Sequence, residues 1–462
     1  MNFVNRREEL RQLNEPKEKN KSNLVVIYGK RRVGKTELIK QFIKGKNSIY
    51  YLADKRPEKE QLQNISEKIA DRFKDEFLLN SGVESWLDLF SYLKQNLKEP
   101  LVLAIDEFPY LVENNSALPS VFQKGWDEYL QDLPIYLILC GSSISMMEQK
   151  ILAKKSPLYG RRTGQLLLHP FSFCQLREFW PEVDFADFLQ FYSITGGTPT
   201  YLLQLERELS VEKNVEKYIL DRNSLLFREP EFVLREELRE PRKYMSILHA
   251  IAYGNTKFGE IVNETEIDSS SIYPYLSKLR ELRLIEKRVP ATVEREEKFR
   301  RSTYHLRDNF FKFWFQFVLP YKSELELENK DLALSKFRRE FKHMEAAAYE
   351  DVIQEIARNH QKSFFEFQKV GKWWNGDNEL DLLAFNSEEN KILFGEAKWR
   401  EKAVGRVNLN KLKRTSEKVD WGDDQTEKYF ALFSKSGFTQ DLKQEVESSD
   451  LNIVLFNRDK VV

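Results

Sequence analysis

A multidomain α/β chain is predicted by three observations. Gly29-Lys30-Arg31-Arg32-Val33-Gly34-Lys35-Thr36 stands between the apolar run Leu24-Val25-Val26-Ile27-Tyr28 and a helical pattern starting at Glu37. That is the strand, glycine loop and helix order of a phosphate-binding loop. Further continuous apolar runs, Ser48–Leu52, Leu101–Ile105 and Ile135–Cys140, are separated by helical stretches, which implies a parallel sheet covered on both faces. The pattern then changes twice, to short helices from Pro241 and to strands carrying Glu-x-Lys before Trp399. The expected order is a phosphate-loop domain over 1–170, a helical segment over 171–240 and a winged helix-turn-helix over 241–320. A helical connector over 321–340 and a second α/β domain over 341–462 complete it.

Composition agrees with several packed domains. At 462 residues about three are expected. The chain is 41% hydrophobic and 13% aromatic, enough to bury several cores. Lys plus Arg and Asp plus Glu each number 73. Zero net charge excludes wholesale coating of nucleic acid and leaves local basic clusters to bind it. Cys140 and Cys174 lie in apolar surroundings, which suits a reducing cytoplasm without a disulfide framework. No apolar run approaches membrane-spanning length, and Met1-Asn2-Phe3-Val4-Asn5-Arg6-Arg7 carries no signal-peptide apolar region. The expectation is therefore cytoplasmic, with no membrane partner.

In the loop, glycines let backbone N–H groups close around phosphate oxygens, and the following helix N-terminus adds positive potential. Gly29, Lys30, Arg31, Arg32, Val33, Gly34, Lys35 and Thr36 are the candidate ATP-binding residues. Lys35 is placed for the β- and γ-phosphates and the Thr36 hydroxyl for Mg²⁺. Leu101–Ile105 ends in Asp106-Glu107. An acid just past a buried strand suits Mg²⁺, held directly or through water by Asp106, and Glu107 is the candidate for orienting the attacking water. Ile135–Cys140 runs into Gly141-Ser142-Ser143. A polar side chain there either senses the γ-phosphate or belongs to an ordinary serine turn. Arg161-Arg162, flanked by Gly160 and Gly164, is either a source of positive charge for phosphate, in cis or on a neighbour, or a solvated pair.

These segments resemble the archaeal-type ATPases, a branch of the AAA+-like and STAND P-loop ATPases. The resemblance rests on Phe3-Val4-Asn5-Arg6-Arg7-Glu8-Glu9-Leu10, Tyr28–Thr36, Ile105-Asp106-Glu107-Phe108, Gly141-Ser142-Ser143, Leu168-His169-Pro170-Phe171-Ser172 and Thr195-Gly196-Gly197-Thr198-Pro199. It implies that 171–240 is a helical lid and that Pro199, in Gly197-Thr198-Pro199, begins a segment contacting the nucleotide.

From Pro241 three short helices are expected. They comprise Tyr244–Ala252, ended by Gly254-Asn255, then Phe258–Val262, and a third starting at the N-cap residues Asp268-Ser269-Ser270-Ser271. Ile285–Val289 and Ser302–Leu306 suggest a two-stranded wing. If this domain reads DNA, Ser270, Ser271, Tyr273 and Lys278 face the groove, and Lys298, Arg300 and Arg301 touch phosphates. A protein-contact role is the alternative. Residues 321–340 are charge-rich and contain no glycine, as a helical connector requires.

In the last quarter a helix over Met344–Ile356 carries Glu350, strands are expected over Ser363–Val370 and from Glu379, and a third ends in Glu396-Ala397-Lys398. Alternation puts Glu396 and Lys398 on one strand face. With Asp381 on the neighbouring strand and Glu350 on the helix, they make an oxygen set suited to Mg²⁺, with Lys398 placed to position a water. This pattern resembles the PD-(D/E)XK nuclease fold, although Glu379-Leu380-Asp381 replaces its Pro-Asp dipeptide. The resemblance makes Asp381, Glu396, Lys398 and Glu350 the candidate catalytic residues, with Asp381 and Glu396 on the metal. Further elements are expected over Leu409–Val419 (helix), Lys428–Ser434 (strand), Phe438–Val446 (helix) and Leu451–Phe456 (strand).

The complete expectation is an α/β chain: a P-loop NTPase parallel sheet with helical lid, a winged helix-turn-helix, and a C-terminal α/β restriction-endonuclease-like domain. Its cofactors are ATP and Mg²⁺, and its expected partner is DNA, with a protein partner or a second copy of the chain as further possibilities. It is expected either to couple ATP hydrolysis to DNA binding and cleavage or to act as a STAND-like switch whose nuclease-like domain only binds.

Overall fold

The computed structural model describes residues 3–15, 22–238 and 240–462. Met1 and Asn2 of the N-terminal reading lie outside them. The chain forms two compact units, Met1–Pro170 and Phe171–Val462.

The first unit is built on five strands: β1 (Asn23–Tyr28), β2 (Ser48–Leu52), β3 (Leu101–Asp106), β4 (Ile135–Gly141) and β5 (Gly164–Leu167). They pair in parallel in the order β2-β3-β4-β1-β5. Every residue of β1 and β3 is buried, because alternate side chains serve two different cores. Leu24, Val26, Leu103, Ile105, Leu137 and Leu139 pack with Ile65, Ile69, Leu89 and Phe90. Val25, Ile27, Val102, Ala104, Ile138 and Cys140 pack with Leu38, Ile39 and Phe42 of the helix Lys35–Ile43. A strand with two apolar faces needs this two-sided cover. The sequence pattern missed β5, a four-residue strand beginning Gly164-Gln165, too short and too polar at its start to show a period.

The second unit opens with helices Phe173–Arg177, Phe185–Thr195, Pro199–Leu202, Val211–Tyr218 and Glu229–Glu237. Helices Pro241–Ala252, Phe258–Thr265 and Ser269–Glu281 follow, with the antiparallel pair β6 (Ile285–Arg288) and β7 (Thr303–Leu306). One aromatic-rich core joins these elements, and Phe188, Phe227, Phe310, Trp314 and Tyr349 are all fully buried in it.

Two expectations are corrected here. The connector over 321–340 is not a separate element. Lys322–Glu326 is a short helix, and a single 29-residue helix, Asp331–Asn359, runs on through the helix expected at Met344. Phe337 and Phe341 anchor its first half in the core, stacked at 4.5 Å, so it is a packed helix. The strand expected over Ser363–Val370 is displaced: Gln361–Ser363 is a 3₁₀ turn and the strand begins at Lys369. Phe364, Phe365 and Phe367 are buried against Tyr429 and Phe456. This apolar run plugs the core from irregular backbone, which periodicity cannot distinguish from a strand.

The C-terminal sheet contains β8 (Lys369–Asn375), β9 (Asn378–Asn386), β10 (Lys391–Lys398), β11 (Glu427–Ser434), β12 (Asn452–Asn457) and β13 (Lys460–Val461). The order is β13-β12-β11-β10-β9-β8, parallel between β10, β11 and β12 and antiparallel elsewhere. Helices Arg406–Ser416 and Gln440–Ser448 make the parallel crossovers. The loop between β6 and β7 docks on β8. The Ala291 N–H donates to the Lys372 carbonyl at 2.9 Å, Ala291 is buried among C-terminal core residues, and Lys369 Nζ donates to the Val293 carbonyl at 2.7 Å. The edge of the sheet is thereby covered rather than left to pair with another chain.

Candidate nucleotide site and the C-terminal carboxylates

The phosphate loop sits between β1 and the helix Lys35–Ile43. Gly29 has φ of 155°, and a Cβ there would lie 2.3 Å from the Leu168 carbonyl oxygen. Gly34 has φ of 94° with open space around it, so backbone conformation alone demands glycine. The Lys35 side chain is buried and donates to the carbonyls of Gly29 at 2.9 Å and Lys30 at 3.0 Å. The ammonium thus holds the loop in a closed curve around the space a phosphate would take. Arg6, also buried, donates to the Val33 carbonyl at 3.0 Å and the His169 carbonyl at 2.7 Å, and pairs with Glu9 at 2.7 Å. The N-terminal segment therefore braces both the loop and the residues just after β5.

The acidic pair at the end of β3 is held from several sides. Thr36 Oγ1 and the Tyr50 hydroxyl donate to Asp106 Oδ2 at 2.7 and 2.8 Å, and the Glu107 N–H donates to Asp106 Oδ1 at 3.0 Å. Asp106 is 1% exposed. Burial, with Asp106 beside it, pushes the Tyr50 phenol far above its usual range, so it is a hydrogen-bond donor at any ordinary pH. Glu107 adopts φ of 55° and precedes the helix Phe108–Asn114. Its Oε2 accepts from the Ser142 N–H at 3.2 Å and the Ser142 hydroxyl at 2.7 Å. Ser142 therefore grips Glu107, while Ser143 caps the turn Ile144–Met146. A hydroxyl and a carboxylate in contact at the end of the phosphate loop fit Mg²⁺, which is usually bound by one or two carboxylates and keeps several waters.

Arg161 makes a two-point contact with Asp127, at 3.1 and 2.9 Å. Arg162 donates to the Leu152 carbonyl at 3.1 Å and lies 4.7 Å from the Tyr159 ring centroid. Both arginines are thus engaged with neighbouring groups. Pro199 belongs to the second unit, where it starts the helix Pro199–Leu202.

On the winged helix, Ser270, Ser271 and Tyr273 are exposed along the third helix, and Lys278 pairs with Glu281 at 2.8 Å. Lys298, Arg300 and Arg301 are exposed on the loop between β6 and β7.

The C-terminal candidates meet across β9 and β10. Asp381 Oδ2 accepts the Ala397 N–H at 2.9 Å. Glu396, buried, pairs with Lys398 at 2.5 Å and with Lys411 at 3.4 Å. Burial, then the charge of Glu350, pushes the Asp381 carboxyl up to about 6, against the Ala397 bond and the charges of Lys372 and Lys398. Glu350 binds Lys372 at 2.8 Å. The expected three-carboxylate set does not form: among the described residues no three carboxylates, imidazoles or thiols gather tightly enough to hold a metal ion. Glu350 is drawn off by a lysine the sequence reading passed over. Tyr50, Lys372 and Lys411 are the participants that reading missed, since each sits in a segment with no motif of its own.

Residues 3–205 match a family described as an ATPase domain predominantly from Archaea, residues 245–287 a bacterial regulatory protein family of the arsR type, and residues 314–414 a family of archaeal and bacterial proteins of unknown function. An uncharacterized protein of Methanocaldococcus jannaschii is 35% identical over 439 residues, covering 94% of this chain and 95% of its own length. Among solved structures, the Walker-type ATPase of Pyrococcus abyssi aligns with 26% identity and a TM-score of 0.47, over 68% of this chain and 96% of its own. The ORC2 protein of Aeropyrum pernix aligns with 16% identity and a TM-score of 0.42, over 71% and 96%. No described helix is long and apolar enough to cross a membrane. The chain belongs to the family of the Methanocaldococcus jannaschii protein, and in it an archaeal-type P-loop ATPase domain over 3–205 is followed by a winged helix-turn-helix and a C-terminal mixed-sheet domain.

Proposed function

We propose that the chain binds and hydrolyses ATP and that its nucleotide state controls DNA binding by the winged helix and Mg²⁺-dependent cleavage at the C-terminal carboxylates. The observation that carries the first part is the joint hold on Asp106 and Glu107. Thr36 ties Asp106 to the phosphate loop at 2.7 Å, and Ser142 fixes Glu107 at the end of the next strand. Lys35 leaves the Gly29 and Lys30 carbonyls for the β- and γ-phosphates. Thr36 and Asp106 hold Mg²⁺, which when bound neutralises phosphate charge. Glu107 aligns the attacking water, and Gly34 presents the helix N-terminus to phosphate. The test is a pair of variants. Lys35→Ala is expected to abolish ATP binding. Glu107→Gln is expected to keep binding and lower turnover about 100-fold or more, the scale of losing one aligning group. Full turnover in Glu107→Gln would sink the assignment.

For DNA, the support is the open face of the third helix at Ser270, Ser271 and Tyr273 with three exposed basic residues on the wing loop. Tyr273→Ala should weaken duplex binding, measured by fluorescence anisotropy at fixed salt. For cleavage, the support is Asp381 bound to the Ala397 N–H, the residue between Glu396 and Lys398, which pair with each other. Lys398→Ala should abolish Mg²⁺-dependent nicking and leave ATP binding intact. The engagement of Glu350 by Lys372 favours a second reading, a STAND-like switch whose nuclease-like domain binds without cutting. Wild-type protein that nicks no DNA in any nucleotide state, but changes mass between ATP and ADP, would decide for that reading.

A further inference from the structure

Asp106 is saturated with protein donors. Its Oδ1 accepts the Glu107 N–H at 3.0 Å, and its Oδ2 accepts both the Thr36 hydroxyl at 2.7 Å and the Tyr50 hydroxyl at 2.8 Å. A carboxylate oxygen offers about two lone-pair sites, so Oδ2 has both filled. The two hydroxyls differ in what they do when a cation arrives. Thr36, at the first turn of its helix, can keep donating its proton to Asp106 while its own lone pairs face the cation. Tyr50 stands on the neighbouring strand, in register with Ala104 and two residues before the Leu52–Asp106 pair. Its phenol donates to the second acceptor site, to which a water of the cation's shell would otherwise donate. Mg²⁺ dehydrates reluctantly and keeps several waters, so its carboxylate partner needs that acceptor site.

On the reading that Thr36 and Asp106 hold Mg²⁺ with ATP, we propose that the Tyr50 hydroxyl is a placeholder for a metal-bound water. It keeps Asp106 oriented and fully hydrogen-bonded in the empty site. It must give way when Mg²⁺ enters with ATP, and so it sets the Mg²⁺ concentration at which the site closes. Tyr50 is half-buried rather than sealed in the core. The competition is for one carboxylate oxygen.

The test uses the full chain and a fluorescent ATP analogue, titrated with Mg²⁺ in the cold so that binding rather than turnover is read. Tyr50→Phe removes one competing hydrogen bond. The half-saturating Mg²⁺ concentration should fall about 3–10-fold, the scale of one such bond, while nucleotide affinity without metal stays unchanged. Tyr50→Met, also without a hydroxyl, should shift it in the same direction and guards against a packing defect peculiar to Phe. A half-saturation unmoved or raised in both variants overturns the placeholder. Wild-type protein that binds no analogue at any Mg²⁺ concentration overturns the ATP reading itself, and the placeholder falls with it.

Discussion

Replacing Asp381 by Asn should stabilise the second unit at neutral pH. Asp381 lies half-buried on β9 with its carboxyl pushed up to about 6, first by burial and then by the charge of Glu350. An acid whose folded pKa exceeds its unfolded value binds its proton more tightly in the folded state. Stability is therefore lost as pH rises from about 4 to about 6, and it stays lost above that. A carboxyl near 6 rather than near 4 corresponds to about 3 kcal/mol of destabilisation at pH 7.5 and about half that at pH 5. Asn keeps an oxygen to accept the Ala397 N–H and carries no charge, so it removes the cost at both pH values. The assay is urea unfolding followed by tryptophan fluorescence, with midpoints compared at pH 5 and 7.5. The gain from Asp381→Asn should be present at both and larger by more than 1 kcal/mol at pH 7.5. Mg²⁺ should narrow the difference if the Asp381–Glu396 pair takes a cation. Equal midpoints at pH 7.5, or a variant less stable than wild type there, would refute the argument that Asp381 is a costly buried charge.

Gly29→Ala combines a φ of 155° with a Cβ 2.3 Å from the Leu168 oxygen, so it should cost about 2–4 kcal/mol and abolish ATP-analogue binding; thermal melting and a binding titration check both. Arg6→Ala leaves the Val33 and His169 carbonyls without their guanidinium donor, and the first unit should lose about 2–3 kcal/mol in urea unfolding. Arg288 makes two contacts to Asp351, at 3.1 and 3.2 Å, and the Asp351 side chain is 45% exposed. Arg288→Met should therefore cost only about 1–2 kcal/mol, and hydrogen exchange should show faster opening of the loop between β6 and β7.

Much of the ATPase half is legible in the sequence because its signals are contiguous. The strands β1, β3 and β4 are apolar runs with both faces buried, and the phosphate loop is a single stretch of eight residues by its motif. The lost strand β5 and the displaced β8 show where this fails. β5 has four residues and a polar start, and the buried Phe364, Phe365 and Phe367 mimic a strand while filling a core. In the C-terminal sheet, Asp381 accepts the Ala397 N–H, between Glu396 and Lys398, which pair with each other. Glu350 did not join them as a third carboxylate, because Lys372 on β8 captures it. No local pattern records that competition, since the two residues meet only when β8 is laid beside the long helix.

The sequence by itself determined the class of ligand. A phosphate loop works through adjacent backbone N–H groups and one lysine, so its geometry is carried by neighbours along the chain. Tertiary structure alone decided how Asp106 and Glu107 are held. Tyr50 and Asp106 are 56 positions apart and Glu107 and Ser142 are 35 apart. Each pair is joined by the register of neighbouring parallel strands, which packing of the whole sheet sets. The docking of the wing loop on β8 has the same origin. Ala291 reaches the C-terminal core because an edge strand there needs cover, a requirement that exists only once the sheet has formed.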